Sequence, residues 1–360
     1  MIMINQARGW QLLVFMILIS YGCASKREAK IDRLFESYSG ENTPGAAVLV
    51  IKDGSPVLEK AYGLADLEKN LPVQIDSNFR LASFTKQFTA MCIMILAERG
   101  KLTYETALAE IFPQFPDYGR EIKIRNLLQH TSGLIDYESL LAEGDPTQVL
   151  DADVLNLMME QDSTYFPPGS KYRYSNSAYA VLAMVVEKLS GRPFAAFLQE
   201  EIFKPLDMDH TVAYEKDVST VPNRAYGYAV TSSGGFEFRD QSPTSAVLGD
   251  GGIYSNLPDL YKWDQALYTE KLVKSETLRE AFTSTVSTDG EQPAVYGFGW
   301  RIDEYRGRPR THHTGETCGF TTVIQRYPED RFTVIILTNR DKPMVMDIAD
   351  RITDIYLFED

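Results

Sequence analysis

Strand-patterned segments stand at both ends of this 360-residue chain, and that placement restricts the fold more than any other feature. Residues 46–52 form an apolar run, Asp53-Gly54 supplies a turn, and a second apolar stretch follows at 57–62, which together read as a hairpin. Near the other end, 320–327 and 332–338 repeat the arrangement around Pro328-Glu329-Asp330. Between them, 124–128, 154–159, 179–189 and 194–203 follow a 3.6-residue period. Gly191 closes one of these helices and Pro193 opens the next. Flanking helices are expected where Ile31, Leu34, Phe35 and Tyr38 recur before Gly40, and over 345–358. The expected fold is α+β: one antiparallel sheet built from both chain ends (23–98 and 287–360), flanked by helices, with a mainly helical domain inserted over 99–286 and a cleft where the parts meet.

Charge narrows the partners. Fifty acidic against 36 basic side chains give a formal charge of −14 with no offsetting Lys/Arg cluster, so a phosphate backbone is repelled and nucleic acid is not an expected partner. The four histidines, His130, His210, His312 and His313, lack Cys or carboxylate partners at ligand spacing; no metal and no cofactor are expected.

The N-terminus reads as an export signal over 1–22. Arg8 precedes an apolar run at 12–19, with no acidic residue before Cys23. That run is too short for the ~30 Å hydrocarbon core but fits a signal-peptide core. Ile19-Ser20-Tyr21-Gly22-Cys23 resembles a bacterial lipobox, with Ser20 where an aliphatic residue is usual. The resemblance implies lipidation of Cys23 and a cell-envelope lipoprotein (periplasm or outer membrane), held by a lipid anchor rather than a transmembrane span. An ordinary cleaved signal with an incidental cysteine is the alternative. Cys92, inside an apolar helical run, and Cys318 are expected to be free thiols.

Three short motifs carry the chemistry. Ser83 and Lys86 are three apart at the head of an almost wholly apolar helix, so they share a face. An amine with a free lone pair there can take the serine proton, and the helix start offers N–H groups to a developing oxyanion. Alone, Ser-x-x-Lys fits equally an N-cap serine with an exposed lysine; the buried helix behind it favours the chemical reading. Tyr174-Ser175-Asn176 follows Pro167-Pro168-Gly169 and precedes a helix; the tyrosine can relay a proton and the asparagine can hold an amide. The triplet recurs at Tyr254-Ser255-Asn256, where helix capping suffices as an explanation. His313-Thr314-Gly315 precedes a strand and can present an edge to an extended substrate. Its look-alike His130-Thr131-Ser132-Gly133 ends a helical stretch, so His130 reads as a local structural residue.

Ser-x-x-Lys, Tyr-x-Asn and a later His-Thr-Gly, in that order, resemble the serine β-lactamase and penicillin-binding superfamily. The likeness is nearest to the branch of class C β-lactamases, D-alanyl-D-alanine carboxypeptidases, D-aminopeptidases and related esterases, and runs from about residue 44 to the C-terminus. Leu127-Leu128-Gln129-His130-Thr131-Ser132-Gly133-Leu134, the glycines Gly249, Gly251 and Gly252, and Tyr296-Gly297-Phe298-Gly299-Trp300 look like the same branch. The resemblance implies a β-lactamase/transpeptidase-like fold. It also implies that Ser83 forms an acyl-enzyme, that Lys86 and Tyr174 share proton transfer, and that Asn176, His313, Thr314 and Gly315 contact substrate. The backbone N–H groups of Ser83 and Glu316 would form the oxyanion hole.

The expected activity is therefore a serine hydrolase acting on D-amino-acid peptides, amides or small esters, small-molecule or peptide substrates that include peptidoglycan-derived ones. The alternatives are a weak class C-like β-lactamase and a non-catalytic protein that binds peptidoglycan or β-lactams. An α/β-hydrolase is disfavoured, since no Gly-x-Ser-x-Gly elbow is present. Class C enzymes usually carry lysine at the position of His313. An imidazole titrating near ~6.5 is mostly neutral at about pH 7–8, so His313 is expected to hold anions weakly and to bind them better as it gains a proton towards about pH 6.

Overall fold

The computed structural model describes residues 26–284, 286, 295–341 and 343–359; Cys23 and the expected signal segment lie outside them. In chain order, the elements that frame the site are α1 (26–34), β1 (Ala46–Lys52), β2 (Ser55–Tyr62), β3 (Phe79–Arg80), α2 (Lys86–Glu98), α3 (Asp151–Met159) and α4 (Asn176–Ser190). They continue with β4 (Val212–Ala213), β5 (Ile253–Ser255), α5 (Leu257–Ala266), β6 (Val295–Tyr296), β7 (Arg301–Tyr305), β8 (Arg308–Thr317), β9 (Phe320–Tyr327), β10 (Phe332–Thr338) and α6 (Val345–Thr353).

Seven strands form one antiparallel sheet in the order β6-β7-β8-β9-β10-β1-β2. The two chain ends meet where β1 pairs with β10, from Ala46 opposite Thr338 to Lys52 opposite Phe332. Alternation then assigns the faces. Val48, Val50, Val323, Val334 and Ile336 pack outward against Ile31, Phe35, Ala349 and Ile352 of α1, its C-terminal extension and α6. Ala47, Leu49, Ile51, Ile324, Ile335 and Leu337 face inward into a second cluster that continues through α2 and α4 to the remaining helices. The sheet and the helical region thus share one buried core.

Helix α2 lies in that core. Residues 86–96 are all buried, so its apolar surface is covered on every side, as a helix without a polar face requires. Helix α4 runs to Gly191, which takes the left-handed φ of +70° that ends it. The region 99–286 is not purely helical: β5 pairs with β3 on one side and with β4 on the other in a small three-stranded sheet. Among the described residues no helix is long and apolar enough to cross a membrane.

Candidate active site

The Ser83 turn is fixed by backbone pairing on one side and by helix α2 on the other. Leu81 N–H donates to Ile253 O (2.8 Å), prolonging the β3–β5 ladder, and the chain then turns through 82–85 into α2. Ala82 takes a left-handed φ of +51° at this bend, a conformation that costs an L-residue roughly 1–2 kcal/mol and persists where the surroundings enforce it. The enforcing element is β8. A Cβ on Gly315 would stand 2.1 Å from Leu81 O and 2.5 Å from Thr322 Oγ1, so only glycine lets the strand approach this closely. Thr322 Oγ1 donates to the same Leu81 O at 2.8 Å.

Lys86 is fully buried, and its ammonium finds three acceptors: Ser83 Oγ at 3.0 Å, Asn176 Oδ1 at 2.8 Å and the Asp250 main-chain O at 2.8 Å. That uses all three donors of the side chain. The Tyr174 and Tyr179 rings lie 5.0 and 5.6 Å from Nζ and present their faces to the charge.

Tyr174 and Asn176 arrive from the loop before α4. Ser175 caps the helix, its Oγ accepting from Ala178 N–H at 3.1 Å, which leaves Asn176 in the first turn facing the cleft. Its amide bridges two groups, accepting from Lys86 and donating to Glu138 Oε1 at 2.6 Å. Tyr174 Oη is buried without a hydrogen-bond partner among the described residues. The second Tyr-Ser-Asn copy is structural. Tyr254 is fully buried, its Oη accepting from Arg224 and Gln241, and Asn256 caps α5 by accepting from Asp259 N–H at 3.0 Å.

Strand β8 brings Gly315 and Glu316 to the nucleophile and sets the His313 ring 6.1 Å from that of Tyr174. Glu316 and Thr317 line the cleft with Ser83. His313 is 2 % exposed; its Nδ1–H donates to Thr314 O (2.6 Å) and its Nε2 accepts from Tyr296 Oη (2.9 Å). Burial, then the nearby Arg301 and Lys86 charges, holds its pKa well below the ordinary histidine value. The expectation that His313 protonates towards pH 6 and then attracts anions is therefore corrected. The ring is neutral and hydrogen-bonded at both nitrogens.

The cleft is open to solvent and holds residues that motif reasoning missed. Glu138 and Asp250 line it beside Ser83, Asn176 and Glu316, so three carboxylates face the single Arg80 guanidinium in the lining. The Asp250 carboxylate accepts from Tyr137 Oη at 3.1 Å, and burial pushes its pKa up to about 6 despite the Lys86 charge. Its main chain is held in place from outside the cleft. Asp151, at the start of α3, accepts from Leu248 and Gly249 N–H at 2.8 and 2.9 Å, and burial pushes its carboxyl up to about 7. Arg80 donates to Gly251 O (3.2 Å) and Ser245 O (2.7 Å) from the other side. The only sequence signal for these groups is their position: Asp250 sits inside the Gly249–Gly252 run, and Glu138 closely follows the His130 motif.

His130 is buried against the Tyr174 ring, with centroids 4.2 Å apart. Cys92 and Cys318 are both free thiols.

Residues 31–356 match the beta-lactamase family. Penicillin-binding protein 4* of Bacillus subtilis is 32% identical over 326 residues, covering 87% of this chain and 72% of that protein. A D-aminopeptidase of Brucella canis is 30% identical over 318 residues; the match covers 87% of this chain but 59% of the relative. Among solved structures, a penicillin-binding protein homologue from Pyrococcus abyssi has a TM-score of 0.82 at 23% identity, covering 93% of this chain and 78% of that one. A D-amino acid amidase from Ochrobactrum anthropi, complexed with L-phenylalanine amide, has a TM-score of 0.79 at 22% identity, covering 92% and 98%. At these identities the two structures establish the fold, and the sequence matches establish the descent: the chain is a serine hydrolase of the beta-lactamase family.

Proposed function

We propose that the protein hydrolyses amides, peptides or small esters of D-amino acids bearing a free, protonated amino group, through an acyl-enzyme on Ser83. The observation that carries this reading is the Ser83 Oγ–Lys86 Nζ contact of 3.0 Å, in a cleft that Glu138, Asp250 and Glu316 make acidic. In acylation Lys86 acts as the neutral amine, its ammonium having released one proton to solvent: Nζ keeps its bonds to Asn176 Oδ1 and the Asp250 main-chain O, and its freed lone pair takes the Ser83 proton as Oγ bonds to the substrate carbonyl carbon. The resulting oxyanion receives N–H bonds from Ser83 and Glu316. As the C–N or C–O bond breaks, the leaving group takes a proton through the Lys86–Tyr174 pair; water then adds to the ester and the proton path reverses. Asn176 exchanges its Glu138 contact for the substrate amide, which frees the Glu138 carboxylate to receive the substrate ammonium.

Three carboxylates outnumber the Arg80 guanidinium in the lining and oppose the carboxylate of a β-lactam or a terminal D-alanine, so the cleft favours cationic amides and esters over both. The likeness to D-aminopeptidases supports the D configuration. A panel on purified protein tests the reading: D- and L-amino-acid amides, p-nitrophenyl esters, a D-Ala-D-Ala peptide and nitrocefin. The expected order places D-amino-acid amides and esters well ahead of nitrocefin. Faster turnover of nitrocefin or of the D-Ala-D-Ala peptide would reject it.

We also propose that Cys23 is lipidated and anchors the protein in the cell envelope. Acyl chains contribute about 0.8 kcal/mol per buried methylene, so multiple chains hold firmly. Cys23→Ala is expected to move the protein from the membrane to the soluble fraction. Unchanged fractionation with no fatty-acid label would refute this.

A further inference from the structure

We infer that His130 is the positioning residue of the Tyr174 loop: it grips the chain on both sides of Tyr174 and thereby sets where that phenol stands relative to Lys86. This rests on the proposed hydrolase reading, in which Tyr174 shares the proton path.

The geometry is a bracket. His130 O accepts from Arg173 N–H at 2.9 Å, and His130 Nδ1 accepts from Ser175 N–H at 3.1 Å. The residues immediately before and after Tyr174 are therefore both tied to His130, while its ring packs on the Tyr174 ring at 4.2 Å. His130 makes both contacts while holding a left-handed φ of +57°. The rest of its segment continues the zipper: Thr131 O accepts from Gly169 N–H and Gly133 O from Tyr165 N–H, each at 2.8 Å. Tyr174 Oη has no hydrogen-bond partner of its own among the described residues, so ring packing and this backbone bracket fix the phenol.

The chemistry of the side chain points the same way. An Nδ1 that accepts leaves the proton on Nε2, and Nε2 is buried with no hydrogen-bond partner among the described residues. Leaving such a donor unpaired costs roughly 1–3 kcal/mol. A phenylalanine would fill the same aromatic cage of Tyr174, Tyr179 and Tyr296 without that cost, so packing alone does not account for an imidazole here. The acceptor at Nδ1 does. It must stay unprotonated to work, and the surroundings enforce this: burial, then the charges of Lys86 and Arg301, hold the His130 pKa well below the ordinary value. His130 is thus a neutral acceptor throughout the working range and takes no part in proton transfer itself.

The test compares His130→Asn, which keeps a short side-chain acceptor, with His130→Phe, which keeps the ring and loses the acceptor. With a D-amino-acid p-nitrophenyl ester, His130→Phe is expected to lower kcat about 10²-fold, the loss typical of a displacement near 1 Å. KM should stay within a few-fold, since Ser83, Asn176 and Glu138 are untouched. His130→Asn should recover at least a tenth of wild-type kcat. Both variants should keep the wild-type shape of the kcat–pH profile. A His130→Phe enzyme with wild-type kcat, or a variant whose pH profile loses a limb, overturns the positioning role. Ser83→Ala, run in parallel, separates the two readings: if it retains turnover the hydrolase assignment falls, and if it abolishes turnover while His130→Phe is fully active, only the bracket falls.

Discussion

Gly315→Ala is the perturbation whose consequence can be worked furthest from the coordinates. The added methyl would stand 2.1 Å from Leu81 O, 2.5 Å from Thr322 Oγ1 and 3.2 Å from the Ala82 Cβ. Real Cβ contacts do not fall below 3.0 Å, so the gap must open by 3.0 − 2.1, or about 0.9 Å. The Leu81 oxygen is main chain and is also held by Thr322 at 2.8 Å, so neither partner yields cheaply. Overpacking of this kind costs about 1–3 kcal/mol. The displacement falls beside Ser83 and Glu316, which both line the cleft, and about 1 Å of misplacement there costs on the order of 10²-fold in rate. Thermal melting and steady-state ester hydrolysis measure the two effects. A suitable control is Gly307→Ala, where a Cβ meets nothing within 4 Å and only the positive φ of +78° is strained. The control should lose some stability and keep kcat. A Gly315→Ala enzyme with wild-type melting temperature and kcat would refute the claim that strand proximity sets the geometry of the nucleophile.

Other outcomes follow from the same contacts. Tyr174→Phe should lower acylation strongly, whereas Tyr254→Phe should cost stability, because its hydroxyl accepts from Arg224 and Gln241; the reverse pattern in a paired kinetic and melting experiment would exchange the two triplets. Glu138→Gln should raise KM for a D-amino-acid amide about ten-fold while leaving an N-acylated ester unaffected, as steady-state kinetics on both substrates would show. Asp151 has a carboxyl raised to about 7 by burial, so its contribution to stability is fully present below the unfolded value near ~3.9 and is lost as pH rises through about 7. Between pH 7 and 5 the wild type therefore gains stability from Asp151 on acidification. Melting curves of Asp151→Asn should fall more steeply with acid over that window, and a slope equal to wild type would contradict the shift.

Much of the fold was legible because its outer signals are local. The hairpins at 46–62 and 320–338 declare themselves by apolar runs around turns, and their pairing through Ala46 and Thr338 follows once both must bury one face. Strand β8 was visible only through its His-Thr-Gly. Arg308, Arg310, His312 and His313 break the alternation, because Arg310 and His312 are satisfied by Asp303 across the strand pair rather than by water. The Ser83–Lys86 spacing survived because three residues of helical turn fix it regardless of tertiary context. The contacts of His313 and His130 were hidden for the opposite reason, although His130 is a local structural residue as its position suggested. Which nitrogen faces which neighbour depends on Tyr296, Thr314 and Ser175, all set by packing that no local pattern encodes. Glu138 and Asp250 carry no motif; only the folded cleft places them beside Ser83.

The central claim is that Ser83 becomes the acyl-enzyme. Its most direct measurement is intact-protein and peptide mass spectrometry after rapid quenching of the wild type and Ser83→Ala with a slowly deacylating D-amino-acid ester. The account predicts a single acyl mass increment on the wild type, mapped to Ser83, and none on the variant. An increment that maps elsewhere, or that persists in Ser83→Ala, would contradict it.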